Sequence, residues 1–240
     1  MLFTPEMSGL LDRDRERAAA HLVGEGDDPV LAAVRAAAVQ AELWVHLGSL
    51  AVRESGAKLA NRGFVVAPDG SIRARYDKMH LFDVALPSGE TWRESASYAA
   101  GEYAIAVDTP IGRLGLSICY DLRFPDLYRA LSDAGATVLA VPAAFTRPTG
   151  LVHWHVLLRA RAIEAGAYVV AAAQTGNHDD GRATFGHSLV VDPWGEVILD
   201  MGDEPGLGFA EIDQVEVDRV RARVPALTHR RTIPPVRVAP

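Results

Sequence analysis

Cys119 is the only cysteine in this 240-residue chain, and its surroundings favour a role as a nucleophile. It ends an apolar run over residues 114–118, which predicts a buried strand, and it precedes a helix predicted to begin at Pro125. The strand would hold the thiol rigidly, the turn would expose it, and free N–H groups at the helix start favour the thiolate. A buried core cysteine is the competing interpretation, because free cysteine packs like a small hydrophobic residue.

A cysteine nucleophile needs a base and an oxyanion stabiliser, and three charged residues are candidates. Glu6 follows a short apolar stretch at residues 2–4, Lys78 follows a strand predicted to end at Tyr76, and Glu94 lies in a predicted loop. A carboxylate could take the thiol proton, and an ammonium could stabilise an oxyanion. Spacing alone also allows the simpler interpretation that these are solvated surface charges.

The histidines offer two further arrangements. His187 could pair with Cys119 as in cysteine–histidine hydrolases, and the sequence by itself leaves that pairing open. His153 and His155 lie two residues apart on a predicted helix, so they should point to different faces and not share a metal ion. The sequence therefore predicts no metal site.

The composition limits the classes of function. Hydrophobic residues make up 49% and charged residues 23%, as in a globular protein, and residues 1–240 are predicted to form a single domain. A net charge of −7 argues against general affinity for nucleic acid or an anionic membrane. One cysteine excludes an internal disulfide, and no apolar run approaches the ~20 residues of a membrane span. The first residues lack a signal-peptide pattern, so a reducing cytoplasm is predicted.

Strand and helix patterns alternate along the chain. Helices are predicted over residues 29–43, 125–131, 153–165 and 213–224. Strands are predicted over residues 43–52, 63–67, 71–76, 103–109, 114–119, 137–141, 168–173, 188–192, 197–199 and 208–212. Hairpins mixed with βα units predict a layered α/β fold with a mixed sheet.

Three segments also resemble the signature segments of the nitrilase superfamily of carbon–nitrogen hydrolases. They are residues 3–7 (FTPEM), 76–83 (YDKMHLFD) and 117–125 (SICYDLRFP). The resemblance extends over residues 3–230, with further matching stretches between 142 and 195. It implies that Glu6 is the general base, Lys78 the oxyanion stabiliser and Cys119 the nucleophile, with Glu94 supporting the site.

The family resemblance implies a fold and a mechanism. The fold would be a four-layer αββα sandwich of two mixed sheets, in a homodimer or higher homo-oligomer. Cys119 would attack an amide carbonyl, with the oxyanion held by Lys78 and the Tyr120 N–H, and water would cleave the resulting thioester. No metal or organic cofactor would be needed, and the thiol of an active enzyme is expected to have a depressed pKa.

The substrate is implied by the branch that the chain most resembles, the deaminated glutathione amidases, with omega-amidases acting on alpha-ketoglutaramate as the alternative. Both substrates carry a carboxylate near the scissile amide. Arg123 matches an arginine that binds such a carboxylate, although an arginine that only caps the turn is the simpler interpretation. Phe145 and Thr146 resemble pocket-wall positions, although a core phenylalanine is a close competitor.

One departure from the family concerns the N-terminus. Family members begin with a strand and a helix before the first glutamate, whereas Met1 lies five residues before Glu6. The absence of that unit predicts an exposed sheet edge that another chain would cover. It also leaves a rival from another class, a non-catalytic interaction protein that keeps the fold, although retention of the four site residues argues against it.

Overall fold

The computed structural model describes residues 1–85, 89 and 91–239. The helices are α1 (Arg15–Ala19), α2 (Pro29–Ala41), α3 (Pro125–Asp133), α4 (Arg147–Ala165) and α5 (Gln214–Arg223). The strands are β1 (Leu2–Phe3), β2 (Val45–Arg53), β3 (Leu59–Val66), β4 (Ile72–Asp77), β5 (Asp83–Ala85), β6 (Thr91–Arg93), β7 (Ala106–Thr109), β8 (Gly112–Leu116), β9 (Val138–Ala140), β10 (Tyr168–Ala171), β11 (Thr175–Asn177), β12 (Ala183–Phe185), β13 (Leu189–Val191) and β14 (Val197–Asp200). Three short 3₁₀ helices complete the described elements, at Glu25–Asp27, Glu94–Ala96 and Cys119–Arg123.

The first large sheet has four strands in the order β1-β2-β3-β4. β1 runs parallel to β2, and the remaining neighbours are antiparallel, so the sheet is mixed. One face of this sheet packs against α2 through a small apolar cluster that includes Leu31, Leu47 and Phe64. α2 begins at an Asp28 cap whose side chain accepts the N–H groups of Val30 and Leu31, as expected for a helix with proline in its first turn.

The second large sheet has six strands in the order β14-β13-β10-β9-β8-β7. Its central strands β8, β9 and β10 are parallel, and antiparallel strands flank them on both sides. β9 and β10 are short apolar runs, buried except for the half-buried Val170, which is the pattern of strands covered on both faces. The carboxyl ends of β8 and β9 lead into the Cys119 turn and the segment before α4.

Four layers result from the packing of these elements. α3 and α4 lie against the six-stranded sheet, and α2 lies against the four-stranded sheet. Between the sheets, Val65 and Tyr76 join the same apolar cluster as Leu114 and Leu116. The order of layers is therefore helix, sheet, sheet, helix. Two further hairpins, β5-β6 and β11-β12, lie outside the large sheets.

The structure corrects one predicted strand. Residues 208–212 form no strand; Phe209 is exposed, and backbone hydrogen bonds of a ladder are absent there among the described residues. An apolar alternation becomes a strand only where a neighbouring edge supplies hydrogen-bond partners. The strand predicted to reach Cys119 ends at Leu116, and α4 begins six residues earlier than predicted, at Arg147.

None of the helices in the described ranges combines the length and the apolar character that crossing a lipid bilayer requires.

Candidate active site

Cys119 begins the 3₁₀ helix Cys119–Arg123, three residues after the end of β8. Its backbone lies in the left-handed region, with φ of 48°, and its N–H donates to the Pro142 carbonyl at 2.9 Å. Such a conformation is strained for a residue with a side chain and persists only where the surroundings impose it. The turn therefore fixes the position of the sulfur, in a site where the residue is only 8% exposed.

Lys78 follows the last residue of β4, and its ammonium lies between two carboxylates. Nζ is 2.9 Å from Glu6 Oε1 and 2.9 Å from Glu94 Oε2. The Lys78 N–H donates to the Asn61 carbonyl on β3 at 3.0 Å, which extends the sheet by one residue and fixes the base of the side chain. The side chain of Lys78 is almost fully buried, so the sheet delivers a single ammonium into a closed site.

Glu6 reaches the same site because the chain after β1 crosses close to β2. Gly48 on β2 permits this crossing, since a Cβ there would lie 2.2 Å from the Thr4 carbonyl oxygen and 2.4 Å from that of Pro5. The Glu6 carboxylate then accepts the Ala144 N–H at 2.8 Å through Oε2, the oxygen that does not face Lys78. Both carboxylate oxygens are thus held, and the group has one orientation.

Glu94 and Asn61 complete the cluster. The Asn61 amide nitrogen donates to Glu6 Oε1 at 2.9 Å and to Glu94 Oε1 at 3.2 Å, so it bridges the two carboxylates. The Phe82 N–H donates to Glu94 Oε2 at 2.7 Å, and the Glu94 N–H donates back to the Phe82 carbonyl. Four elements far apart in sequence therefore converge, and we call Glu6, Asn61, Lys78 and Glu94, with Cys119, the buried charge cluster.

Burial and mutual attraction set the charges in this cluster. Burial raises the pKa of Glu6, but the Lys78 ammonium and the hydrogen bonds from Lys78 and Asn61 outweigh it, so the pKa lies below its ordinary value. Burial lowers the pKa of Lys78, but the Glu6 and Glu94 carboxylates outweigh that effect and raise it well above its ordinary value. At neutral pH, Glu6 is a carboxylate and Lys78 an ammonium.

The expectation of a depressed thiol pKa is wrong for this arrangement. Burial, followed by the Glu6 carboxylate, raises the pKa of Cys119 well above its ordinary value, and Lys78 offsets this only in part. The helix start gives little help, because the 3₁₀ helix is short and the Cys119 N–H is directed at Pro142. The Glu6 carboxylate is close enough to the thiol to affect its pKa, so it is the group placed to take the thiol proton when the sulfur attacks.

Asp121 is a buried carboxylate that the sequence reasoning did not single out. Oδ2 accepts the Ile118 N–H at 2.9 Å and the Tyr76 hydroxyl at 2.7 Å. Oδ1 accepts the His80 N–H at 3.0 Å and lies 2.7 Å from His80 Nδ1. Tyr76 and His80 flank Lys78, and Ile118 precedes Cys119, so Asp121 fastens the segment that carries the ammonium to the turn that carries the thiol.

The predicted substrate-binding residues lie together beside this turn. The Arg123 guanidinium carbon is 5.2 Å from the centre of the Phe145 ring and 5.8 Å from that of Tyr120. Its Nη1 lies 3.1 Å from His153 Nδ1, and no carboxylate of the described residues forms an ion pair with it. Arg123 is therefore held between aromatic rings with its charge available to an added anion.

Phe145 and Thr146 have structural contacts as well. Phe145 is buried, with its ring centre 4.9 Å from that of Trp154, so it belongs to the core on one side and contacts Arg123 on the other. The Thr146 hydroxyl lies 2.7 Å from the Thr149 hydroxyl in the first turn of α4. Phe145 therefore fits both interpretations: one side of its ring packs in the core, and its other side contacts Arg123.

The remaining histidines lie outside the buried charge cluster. His187 faces Asp200, with 2.8 Å between Nδ1 and a carboxylate oxygen, and no contact joins it to Cys119. His153 faces Arg123 and His155 faces Asp200, so the two histidines diverge as predicted. The sequence reasoning missed Asn61, because it lies outside the strand predicted over residues 63–67, whereas β3 begins at Leu59.

Comparison with known proteins identifies the family. A sequence model of the family described as Carbon-nitrogen hydrolase matches residues 1–222. The chain belongs to the carbon-nitrogen hydrolase family. This confirms the resemblance seen in the three signature segments, which contain Glu6, Lys78 and Cys119.

Relatives and solved structures within the family place the chain further. A protein of Synechocystis named deaminated glutathione amidase is 53% identical over 175 residues, which cover 72% of this chain and 64% of that protein. A protein of the same name from Yersinia enterocolitica is 39% identical over 236 residues, covering 97% of this chain and 82% of its own length. The chain thus spans less than two thirds of the Synechocystis relative.

The fold is shared with a solved structure. The crystal structure of the Caenorhabditis elegans NitFhit protein superposes with a TM-score of 0.88 at 43% sequence identity, covering 96% of this chain and 57% of that one. The predicted fold class, a layered α/β sandwich of the nitrilase type, is confirmed.

Proposed function

We propose that this carbon-nitrogen hydrolase family member hydrolyses a small carboxylate-bearing amide, of the deaminated glutathione kind, through a thioester on Cys119. The observation that carries the proposal is the buried charge cluster, in which a thiol, a carboxylate and an ammonium share one closed site. The names of the Synechocystis and Yersinia relatives support the substrate class.

In the first half-reaction, the Cys119 sulfur attacks the amide carbonyl carbon while its proton passes to Glu6. The carbonyl oxygen becomes an oxyanion, which the Lys78 ammonium stabilises together with the Tyr120 N–H. Tyr120 is the second residue of its 3₁₀ helix, a position whose N–H has no acceptor within the helix. When the tetrahedral intermediate collapses, the C–N bond breaks, and Glu6 returns the proton to the departing amine or ammonia.

In the second half-reaction, a water molecule replaces the amine. Glu6, again a carboxylate, removes a proton from this water, and the hydroxide formed attacks the thioester carbonyl. Lys78 stabilises the second oxyanion, the C–S bond breaks, and the proton held by Glu6 returns to the sulfur. The acid is released and the resting thiol is restored, which agrees with its raised pKa.

Glu94 keeps this proton transfer on Glu6. Lys78 is shared between the two carboxylates, so Glu94 holds the ammonium in place while Glu6 changes its protonation state. Asn61 donates to both carboxylates from one amide and keeps their separation constant. Preorganised donors of this kind stabilise a developing oxyanion without reorganisation.

Arg123 is proposed to select the substrate carboxylate. Its guanidinium lies between Phe145 and Tyr120, next to the thiol turn, and it has no acidic partner among the described residues. A guanidinium binds a carboxylate through two parallel hydrogen bonds, so it can orient an amide at a fixed distance from Cys119.

The proposal is tested by measuring release of amine or ammonia from a panel of amides by the full chain. The panel includes deaminated glutathione, alpha-ketoglutaramate and, for each, an analogue with its carboxylate replaced by a neutral amide. We expect turnover of the acidic members, at least ~10³-fold slower in Cys119→Ser, and an acyl adduct on Cys119 in acid-quenched samples analysed by mass spectrometry. The preferred amide decides between the deaminated glutathione and omega-amidase alternatives.

Arg123→Gln provides the matched test of substrate selection, with Arg129→Gln on the exposed side of α3 as its control. Loss of a charged hydrogen-bonding pair should lower kcat/KM for the acidic amides roughly 10–100-fold and leave the neutral analogues unaffected. A folded protein that turns over no member of the panel and forms no adduct would favour the non-catalytic alternative and contradict the proposal.

A further inference from the structure

A second polar cluster lies on the opposite side of α4 from Arg123 and outside the buried charge cluster. It consists of His155, His187 and Asp200, and we call it the histidine–aspartate cluster. His155 Nε2 is 2.9 Å from Asp200 Oδ2, and His187 Nδ1 is 2.8 Å from Asp200 Oδ1. One ligand atom from each residue lies within 4.8 Å of the others.

These three residues come from three separate elements. His155 lies in the middle of α4, His187 precedes β13, and Asp200 ends β14. Sequence spacing gives no indication of this convergence, because 45 residues separate His155 from Asp200. The pairing of β13 with β14 brings His187 and Asp200 to the same end of a hairpin, and the contacts of α4 with β13 bring His155 alongside them.

The His187 ring is held in a fixed orientation. Its backbone has φ of 54°, in the left-handed region, and its N–H donates to the Gly202 carbonyl at 2.6 Å. The buried Trp154 donates its indole N–H to the His187 carbonyl at 2.9 Å, and the ring stacks on Phe185 at 4.4 Å between centres. His187 is thus held through its N–H, its carbonyl and its ring, and a strained backbone that is held in this way is typical of a functional position.

Hydrogen bonds orient the carboxylate of this cluster. His155 and His187 each face one of its two oxygens. Oδ1 accepts the Gly202 N–H at 3.0 Å in addition to facing His187. A carboxylate fixed by a backbone N–H retains a lone pair for a metal ion when the histidines turn toward that ion.

We propose that His155, His187 and Asp200 bind a divalent transition-metal ion of the zinc class. Two imidazoles and one carboxylate form a donor set that zinc takes in proteins, with bonds of about 2.0–2.2 Å. Tetrahedral ligand atoms at that bond length lie about 3.4 Å apart. The three ligand atoms here lie within 4.8 Å of one another, so side-chain rotations would bring them to the separation that zinc requires. The cluster is part-exposed, which leaves the fourth position to water.

The ion would act on the structure rather than on the amide. It would cross-link α4 to the β13–β14 hairpin. α4 carries Trp154, whose ring lies beside that of Phe145, and β14 is an edge strand of the six-stranded sheet. Since only the folded chain brings the three ligands together, binding should stabilise the folded state. At metal concentrations ~100-fold above Kd, the unfolding midpoint should rise by roughly 5–10 °C.

The test is zinc binding by the full chain after treatment with a chelator, measured by titration calorimetry and by equilibrium dialysis with metal analysis. Cobalt provides a spectroscopic readout, because a four-coordinate site gives intense visible absorption. All measurements are made with Cys119→Ser, so that zinc held by the thiol of the buried charge cluster does not contribute. We expect one ion per chain and a matching rise in unfolding temperature.

Ligand variants decide the assignment. His155→Ala and Asp200→Asn should each weaken binding roughly 100-fold or more, since even outer partners of a ligand are worth 10–100-fold. His187→Asn keeps a residue that tolerates the left-handed backbone, so it removes the ligand without unfolding the turn. His153→Ala, two residues from His155 on the same helix, should bind like the parent. Absence of saturable binding, or binding that survives all three ligand variants, would overturn the proposal.

Discussion

Two polar clusters in this molecule have opposite arrangements of charge: one places a cation between two carboxylates, and the other places a carboxylate between two imidazoles. In the buried charge cluster, one ammonium, Lys78, lies between the carboxylates of Glu6 and Glu94, with N–O distances of 2.9 Å to each. In the histidine–aspartate cluster, one carboxylate, Asp200, lies between two imidazoles at 2.8 and 2.9 Å. The distances are alike, yet the first cluster is almost closed to solvent and the second is about one-third exposed.

Burial makes these similar geometries differ in energy. A charge removed from water depends on its partner, because losing that partner leaves an uncompensated charge in a medium that solvates it poorly. A part-exposed pair is solvated with or without its partner, so it contributes little to stability. The buried cluster should therefore be fixed and intolerant of change, whereas the exposed cluster can exchange its internal hydrogen bonds for an added ion.

The largest expected effect is the loss of Lys78. Lys78→Met removes the ammonium and leaves the Glu6 carboxylate buried beside Glu94, so we expect a loss of about 3–5 kcal/mol in the free energy of unfolding. Amide turnover should also fall at least ~10²-fold, because one oxyanion donor is lost. Urea unfolding and the amide-release assay measure the two effects.

Lys58 provides the matched control, because it is the only other lysine and is exposed. Lys58→Met should leave both the urea midpoint and turnover unchanged. If Lys78→Met had the same urea midpoint as the parent, the buried ion pairs would not be holding the site together, and the contrast between the two clusters would fail.

The next largest effect is the pH dependence of stability caused by His46, a buried histidine. His46 on β2 is buried, its Nδ1 has no hydrogen-bond partner, and burial lowers its pKa from 6.5 to about 4. The folded chain keeps His46 neutral while the unfolded chain binds a proton below pH 6.5. Stability is therefore complete above pH 6.5 and declines as the pH falls toward 4, by about 3 kcal/mol.

His46→Leu should remove most of this decline while leaving stability at pH 7.5 similar, as followed by urea unfolding at half-unit pH steps. Glu6 does not interfere in the upper part of the window, because its pKa is held below the ordinary value of 4.5 and its contribution is lost only at lower pH. His178, whose burial also lowers its pKa, would account for a smaller residual slope. An unchanged slope in His46→Leu would refute the assignment.

An intermediate effect is expected for Asp121. Asp121→Asn keeps one oxygen acceptor but directs an amide N–H₂ at donors such as the Ile118 N–H or the Tyr76 hydroxyl. We expect a loss of about 1–3 kcal/mol in stability, as for a buried group left without its partner. Asp126→Asn, in the exposed first turn of α3, serves as the control. Because Asp121 positions Cys119 and Lys78, alkylation of Cys119 by iodoacetamide should also change in rate, and an unchanged rate would contradict that role.

The sequence identifies the candidate catalytic residues, but it does not predict their burial or the electrostatic effects of their neighbours. Glu6, Lys78 and Cys119 are predicted from the three signature segments and Glu94 from the wider resemblance, and these residues lie close together in the structure. The sequence predicts a lowered pKa for the Cys119 thiol, whereas the pKa in the fold is raised. A strand-to-helix turn indicates a potentially free N–H, whereas the actual shift depends on burial and on the nearby Glu6 carboxylate, which only the fold determines.

Residues that act through long-range contacts were the least predictable. Asp121 bonds to groups 41 and 45 residues away, and His155 meets Asp200 across 45 residues. Local periodicity predicted most strands because alternation is a property of each strand alone. It also produced the false strand at residues 208–212, since pairing depends on an edge that periodicity does not report.

The smallest expected effect completes the contrast between the clusters. In the presence of a chelator, Asp200→Asn should change the free energy of unfolding by no more than ~1 kcal/mol, because its pairs with His155 and His187 are part-exposed. With zinc added, the same substitution should remove most of the metal-dependent rise in the unfolding midpoint. Differential scanning calorimetry of both proteins, with and without zinc, gives all four values. A large loss without metal would mean that the cluster is a structural ion triad, since a metal-binding site gains its stability only when the ion is bound.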